Sequence, residues 1–299
     1  MTLRGAYCAL AIGALLAAGA CSGIIGDPPG TDPTADPAGR TNTADDQVVK
    51  SHEGKLSTNG LVLDEGALAA LSPAPLGDQW TGQNAIALSP TSPMAALAAT
   101  PEGRELLRYV ALCALDPEVT LVIDQTSPPL RFAGLYALAP AWADSPLDDA
   151  GQRWVSACLL AHANATGDAV WVSLRGAHPG LSWDEAIRTD FPVQEAAYYG
   201  NLFAASPALF ACLGQSLFNG QWATQDSYLN GRLCGVQESS CGLSQTGPCA
   251  SLAGTIGGVP TGACEIAAGD GGGFGNCHTA RAGIASPVLS EVVTVYLEK

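Results

Sequence analysis

The sequence predicts an α+β fold, in which helices pack on a small antiparallel or mixed sheet and a disulfide-stapled, loop-rich lobe forms the C-terminal part. Three observations support this prediction. Two segments start with helix-capping residues and continue with apolar residues at helical spacing. Short runs of alternating apolar and polar residues, typical of strands, lie between them and at the end of the chain. Beyond residue 203, the chain becomes rich in glycine and cysteine.

The first helix is predicted from Pro101 to about residue 114. Thr100 suits the capping position, and proline is favoured in the first helical turn. Residues 119–124 alternate in polarity, and residues 130–132 continue the pattern after a proline-containing turn. The two runs predict a β-hairpin.

The second helix is predicted between Ser145, its N-terminal cap, and Gly167, its stop, with Asp148 as the acid of a capping box. Its apolar stripe includes Cys158, and the first helix carries Cys113 at the edge of its own apolar face. Because both cysteines point toward the core, we expect them to form a disulfide.

The later elements follow similar signals. Residues 169–175 alternate as a strand, and residues 289–297 form a β-rich terminal segment. Capping signals at Ser182 and Asp190 predict two further short helices, the second of which includes residues 191–199.

The N-terminus has the features of a bacterial lipoprotein signal. Arg4 precedes an apolar run at residues 8–18, which is too short to span a membrane comfortably. Residues 18–21, Ala-Gly-Ala-Cys, resemble the lipobox Leu-Ala-Gly-Cys, with alanine where leucine is usual. We expect Cys21 to become the lipidated (palmitoylated) N-terminus. The alternative is an ordinary secretory signal cleaved near Ala20.

The predicted organisation has four parts: a signal peptide at residues 1–20, a Pro/Asp-rich tether at 21–50, a loosely ordered lead-in with one strand at 51–100, and a single domain at 101–299. Ser22 gives no aspartate-type signal for retention in the inner membrane. The predicted location is therefore the cell envelope, lipid-anchored at the outer membrane.

Charge and cysteine content narrow the function classes. Removal of residues 1–20 leaves 12 basic and 28 acidic residues, a formal charge of −16 that disfavours nucleic acid. Eight cysteines would remain beside Cys21, and an even number in an exported chain favours disulfides over a zinc site. The expected pairs are Cys113–Cys158, Cys212–Cys234, Cys241–Cys249 and Cys264–Cys277, the last three on proximity in sequence alone.

One group of residues carries the main functional hypothesis. If residues 191–199 are helical, Glu195, Tyr198 and Tyr199 share one face, and Arg175 ends a nearby strand. These side chains are expected either to bind a ligand such as a sugar ring or to form a structural Arg175–Glu195 ion pair. The structural alternative is favoured, and catalytic residues stay unassigned.

Two other motifs favour structural roles. Cys158 and His162 lie one helical turn apart, but Cys158 is in mid-helix, where a disulfide is expected rather than a nucleophile. The glycine-rich residues 270–276 lack the lysine of a phosphate-binding loop and the repeated acids of a calcium loop. A compact loop inside the Cys264–Cys277 bridge is predicted, with no cofactor and no metal.

Residues 153–161, 172–176 and 198–203 resemble uncharacterised cysteine-rich lipoproteins of the myxobacterial type. The resemblance covers about residues 100–299. It implies an exported cysteine-rich domain and supplies no activity.

The sequence therefore predicts a lipid-anchored surface or periplasmic protein whose domain binds an envelope protein, a glycan or a cell-wall component without catalysis. The alternative is an exported hydrolase that uses Glu195 as acid or base, supported by Arg175 and a tyrosine. The two hypotheses differ in geometry, because an enzyme should hold Glu195 in a cleft and a binding module may bury it in an ion pair.

Overall fold

The structure is a computed structural model of the chain. It describes residues 48–51, 54–63, 71, 97–123, 126–166, 168–181, 185–215, 228–233, 242–250, 255–256, 259–260, 262–267, 272–281 and 284–299. The predicted signal peptide, Cys21 and the tether up to residue 47 lie outside these residues.

The structure has the α+β fold that the sequence predicts, with helices packed on a mainly antiparallel sheet. The named α-helices are α1 (Pro101–Ala114), α2 (Asp149–His162) and α3 (Glu185–Asp190), and residues 228–233 are also helical. The strands of the main sheet are β1 (Val48–Ser51), β2 (Gly54–Asn59), β5 (Val170–Arg175), β6 (Val193–Asn201), β7 (Ala208–Leu213), β8 (Leu243–Pro248) and β15 (Val293–Leu297). The smaller pairs use β3 (Thr120–Ile123), β4 (Leu130–Ala133), β9 (Thr255–Ile256), β10 (Val259–Pro260), β11 (Glu265–Ile266), β12 (Phe274–Gly275), β13 (Cys277–His278) and β14 (Val288–Leu289).

The main sheet is mixed and has seven strands in the order β1-β2-β5-β15-β6-β7-β8. All neighbours pair antiparallel except β7 and β8, which are parallel. The last strand of the chain, β15, lies between β5 and β6, and four of its five residues are buried. The predicted terminal strand is therefore confirmed, and it occupies the interior of the sheet.

The sheet begins earlier in the chain than the predicted domain start at residue 101. Strand β2 pairs with β5, and Leu61 bridges to Ala163 at the end of α2. The described residues from Val48 to Lys299 belong to one compact unit. The rest of the predicted lead-in, residues 64–70 and 72–96, lies outside the described residues.

The helix starts follow local capping chemistry. The Thr100 hydroxyl accepts a hydrogen bond from the Gly103 amide at 3.0 Å, as predicted for α1. Helix α2 is capped by Asp148, which accepts from the Gly151 amide at 2.7 Å, and the predicted cap Ser145 instead donates to the Ala141 carbonyl. The helix is thus shorter at both ends than predicted and ends at His162. The β3–β4 hairpin is confirmed.

The predicted helix at residues 191–199 is wrong. After the short helix α3, Phe191 ends the helical hydrogen bonding and the chain enters strand β6. This strand has a partner on each side, β15 and β7, and six consecutive residues of it are buried. Pairing with two strands outweighs the local capping signal at Asp190.

The sheet separates two apolar cores. Its inner face, with Ala196, Tyr198 and Val295, packs in the same core as α1, α2 and the hairpin. Its outer face, with Ala197 and Tyr199, packs in a second core with residues of the disulfide-linked C-terminal lobe. Among the described residues, no helix has the length and apolar character needed to cross a bilayer.

Candidate functional site

A β-bulge in strand β6 sets the position of Glu195. Along β15, Val295 lies opposite Ala196 while Tyr296 lies opposite Gln194, so Glu195 is the extra residue of the bulge. Bulges redirect a side chain relative to the regular alternation of a strand. As a result, Glu195 and Tyr198 both lie on the inner face, although they are three positions apart and regular alternation would place them on opposite faces.

Glu195 forms a buried ion pair with Arg232, which belongs to the helical residues 228–233. The carboxylate Oε1 lies 3.0 Å from Arg232 Nε, and the two side chains are 1% and 6% exposed. Tyr228 donates to Oε1 at 2.9 Å, and Tyr198 donates to Oε2 at 3.5 Å. The carboxylate is therefore surrounded by donors.

The Arg232 guanidinium also donates hydrogen bonds outside the ion pair. Arg232 Nη1 donates to the Tyr198 hydroxyl, and Nη2 donates to the Ala161 carbonyl on α2 at 2.7 Å. The ion pair thus joins strand β6, helix α2 and the helical residues 228–233. We call Glu195, Tyr198, Tyr228 and Arg232 the inner cluster.

The pKa shifts in the inner cluster favour neutral tyrosines beside a charged arginine. Burial raises the pKa of Tyr198 well above its usual value. Burial also raises the pKa of Tyr228, and the neighbouring Glu195 carboxylate adds to this shift. For Arg232, burial acts to lower the pKa, but Glu195 and the tyrosines outweigh it and the net shift is upward.

The predicted Arg175–Glu195 pair is wrong, because the two residues lie on opposite faces of the sheet. Arg175 lies opposite Thr294 and places its guanidinium 3.7 Å from the centre of the Tyr296 ring. Its Nη2 donates to the Phe191 carbonyl at 2.8 Å. The bulge has moved Glu195 to the inner face.

Tyr199 is also separated from Glu195. Its hydroxyl donates to the His278 carbonyl and contacts the Thr246 hydroxyl, both at 2.7 Å, on the outer face. Of the four residues in the predicted site, the structure thus brings together only Glu195 and Tyr198. Tyr228 and Arg232 were not among the predicted site residues, and their i, i+4 spacing is the signal in the sequence that pairs them.

The glycine-rich segment packs over the outer face near Arg175. Gly272 has φ +71°, and its carbonyl accepts from the Tyr296 hydroxyl and from Gln194 Nε2. A Cβ atom on Gly273 would lie 2.9 Å from the backbone nitrogen of Gly176. The positive φ at Gly272 and the close contact at Gly273 explain why both positions are occupied by glycine. The compact loop is confirmed for its described part; Asp270 and Gly271 lie outside it.

A Ser–His contact that was not predicted from the sequence lies deep in the inner core. His162 Nδ1 donates to the Cys158 carbonyl at 2.8 Å, so Nε2 accepts from the Ser57 hydroxyl at 2.6 Å. Ser57 in turn contacts the Tyr136 hydroxyl at 2.7 Å. All three side chains are fully buried, and burial lowers the pKa of His162 to about 3. A neutral, inaccessible imidazole links strand β2 to α2 and favours a structural role.

The described disulfides confirm two predicted pairs and correct the others. Cys113–Cys158 and Cys264–Cys277 are present. Cys212 is bonded to Cys249, so the predicted pairs Cys212–Cys234 and Cys241–Cys249 are wrong. Parallel pairing of β7 with β8 brings residue 249 beside residue 212, and the Cys249 amide donates to the Leu213 carbonyl. Cys234 and Cys241 lie outside the described residues.

Two groups of side chains in the described residues have the spacing of metal ligands. One is Cys113, Cys158 and His162, and the other is Cys212, Cys264 and Cys277. Every cysteine in both groups takes part in a disulfide. Since metals bind the thiolate, these sulfurs are occupied by covalent bonds instead.

Comparison of the chain with protein-family models, with curated proteins and with solved structures finds no match. Inference about function therefore depends on the chain's own residues.

Proposed function

We propose that the chain is an exported protein, anchored through lipidated Cys21 at the outer membrane, whose domain binds an envelope protein, a glycan or a cell-wall component without catalysis. The observation that carries the proposal is the set of three described disulfides. Disulfides persist in oxidising compartments such as the bacterial periplasm and the cell surface. They agree with the export signal that precedes Cys21.

The inner cluster supports a non-catalytic role. An acid or base in a hydrolase must exchange a proton with its substrate. The Glu195 carboxylate is instead 1% exposed and is contacted by Arg232, Tyr228 and Tyr198. Arg175, which the hydrolase alternative requires beside Glu195, contacts Tyr296 on the other face.

The acidic charge of the chain narrows the classes of molecule that the domain can bind. A formal charge of −16 repels the phosphates of nucleic acids and of anionic lipid headgroups. The N-acetylated sugar strands of the cell wall carry little charge and meet much less of this repulsion. We therefore take purified peptidoglycan sacculi as the first ligand to test.

Membrane fractionation tests the anchor. Wild type and the control Ser22→Ala should sediment with the outer membrane, whereas Cys21→Ala should move to the soluble fraction because it lacks the acylated sulfur. An unchanged membrane fraction for Cys21→Ala would contradict the anchor.

Cosedimentation of the purified full-length protein with sacculi tests the binding role. Binding that releases no soluble fragments supports the proposal. Release of fragments that Glu195→Gln abolishes would support the hydrolase instead, and no binding would contradict this class of ligand.

A further inference from the structure

Two disulfides of the C-terminal lobe lie against each other. The Sγ atom of Cys212, bonded to Cys249, is 3.3 Å from the Sγ atom of Cys264, bonded to Cys277. All four cysteines are buried, and Cys264, at 8% exposure, is the most accessible of them. We call these four residues the sulfur cluster.

The backbone fixes this arrangement. The Cys264 amide donates to the Cys249 carbonyl at 2.9 Å, and the Cys249 amide donates to the Leu213 carbonyl at 2.9 Å. The His278 amide, next to Cys277, donates to the Ala263 carbonyl at 2.8 Å. Each cysteine is thus held by hydrogen bonds of its own residue or of a neighbour, and the two bridges stay in contact.

We propose that the sulfur cluster is a thiol–disulfide exchange site whose partner is a dithiol reductant of the cell envelope. Exchange proceeds when a thiolate attacks one sulfur of a disulfide and displaces the other. The Cys264 sulfur, once reduced, already lies within 3.3 Å of the sulfur that it would attack. This proposal is independent of the binding role proposed above.

The reaction has two balanced steps. The dithiol reduces Cys264–Cys277: its own two sulfurs join in a disulfide, and Cys264 and Cys277 become thiols. The Cys264 thiolate then attacks Sγ of Cys212, so that a Cys212–Cys264 bond forms and the Cys212–Cys249 bond breaks. The electron pair leaves on Cys249, which takes up the proton that Cys264 lost. The second step changes no net oxidation state.

The exchange alters which segments are tied together. The native Cys212–Cys249 bridge ties β7 to the residue after β8. The exchanged bridge would tie β7 to the residue before β11 and release Cys249. A reductant that acts on the most accessible cysteine would thereby change the bonding of a buried one.

The third described bridge is a built-in control. The Cys113 sulfur lies within 4.8 Å of the Cys158 sulfur and of a ring nitrogen of His162. Within the described residues, a thiol at Cys113 therefore has no second bridge beside it to attack. Exchange should be specific to the sulfur cluster.

The variant Cys277→Ser tests the proposal by leaving Cys264 as a permanent thiol. We expect acid quenching, alkylation at low pH and peptide mapping of the full-length protein to recover a Cys212–Cys264 peptide with the label on Cys249. The matched control Cys158→Ser should carry the label on Cys113 alone. Label on Cys264 alone with Cys212–Cys249 intact, or pairing of Cys264 with Cys234 or Cys241, would overturn the proposal.

The wild type gives a second test that does not depend on the folding of a variant. After treatment with a single equivalent of dithiothreitol, a detectable fraction of the reduced molecules should contain Cys212–Cys264 with label on Cys249 and Cys277, because the exchange step changes no net oxidation state. Label on Cys264 and Cys277 alone, or first on Cys113 and Cys158, would overturn the proposal.

Discussion

Replacement of Glu195 by glutamine should destabilise the domain strongly. The change keeps the shape of the side chain but removes its charge, and it leaves the Arg232 guanidinium buried without its carboxylate. Removing one partner of a buried ion pair costs about 3–5 kcal/mol. At the lower figure, the melting temperature of a domain of this size should fall by roughly 6–12 °C.

A surface ion pair offers a matched control. Glu185 lies 3.8 Å from Arg188, and their side chains are 78% and 54% exposed. Because exposed pairs are well solvated, Glu185→Gln should change the free energy of unfolding by less than about 0.5 kcal/mol. The same chemical substitution is thus made in a buried and in an exposed pair.

Thermal and chemical denaturation of wild type, Glu195→Gln and Glu185→Gln measure the difference, under non-reducing conditions that keep the disulfides intact. The double variant Glu195→Gln/Arg232→Met should lose less stability than the sum of its single variants, because it removes both charges together. Equal melting temperatures for Glu195→Gln and Glu185→Gln would refute the structural role of the inner cluster.

Two further predictions concern an ion pair of helix α2 and the glycine-rich segment. Glu291 pairs with Arg153 at 2.9 Å; burial acts to raise its pKa, but Arg153 outweighs burial and the net shift is downward. Glu291→Gln should therefore lower the free energy of unfolding by about 1–2 kcal/mol at neutral pH. This difference from wild type should shrink as pH falls from about 5 through the depressed pKa of Glu291. A difference that stays constant when unfolding is measured across this pH range would contradict the prediction. Gly273→Ala should lower the free energy of unfolding by about 1–3 kcal/mol in denaturant, because the new Cβ would meet the Gly176 backbone. Gly231→Ala is the control and should not destabilise the protein, because the space around Gly231 is open. Equal stability of the two alanine variants would contradict the close contact.

The elements that the sequence predicted well are those specified by local chemistry. Helix α1 starts where Thr100 can cap it, and the β3–β4 hairpin follows from two alternating runs joined by a short turn. Helix α2 shows the limit of this approach. Its cap could be either of two nearby residues, and Asp148 rather than Ser145 reaches the Gly151 amide.

Strand β6 could not be predicted in the same way, because it is buried on both faces. A strand covered on two sides loses the alternation of apolar and polar residues that identifies a half-exposed strand. Glu195, Tyr198 and Tyr199 then matched the spacing of a helix by coincidence. The partners that make this segment a strand, β15 and β7, come later in the chain.

Only part of the candidate site could be predicted from the sequence, because its contacts also depend on segments that are distant in the chain. Glu195 and Tyr198 meet because of a bulge whose register depends on β15, and Arg232 arrives from a segment more than thirty residues away. Neither contact follows from local spacing. A buried carboxylate still required a cation, so the expectation of an ion pair was sound although its partner was wrong.

The disulfides show how far cysteine spacing can be used. Cys113–Cys158 followed from two helices that each turn a cysteine toward one core, whereas the pairs in the lobe were assigned by proximity in sequence. Proximity fails at Cys212 because β7 and β8 are parallel, and parallel neighbours need a long crossover that carries the chain past intervening cysteines before it returns. The sequence separation of Cys212 and Cys249 is 37 residues for this reason. The Ala263 and Cys264 amides then donate to the Pro248 and Cys249 carbonyls, which brings the Cys264–Cys277 bridge against Cys212, so the wrong pairing and the proposed exchange site both depend on where β8 lies.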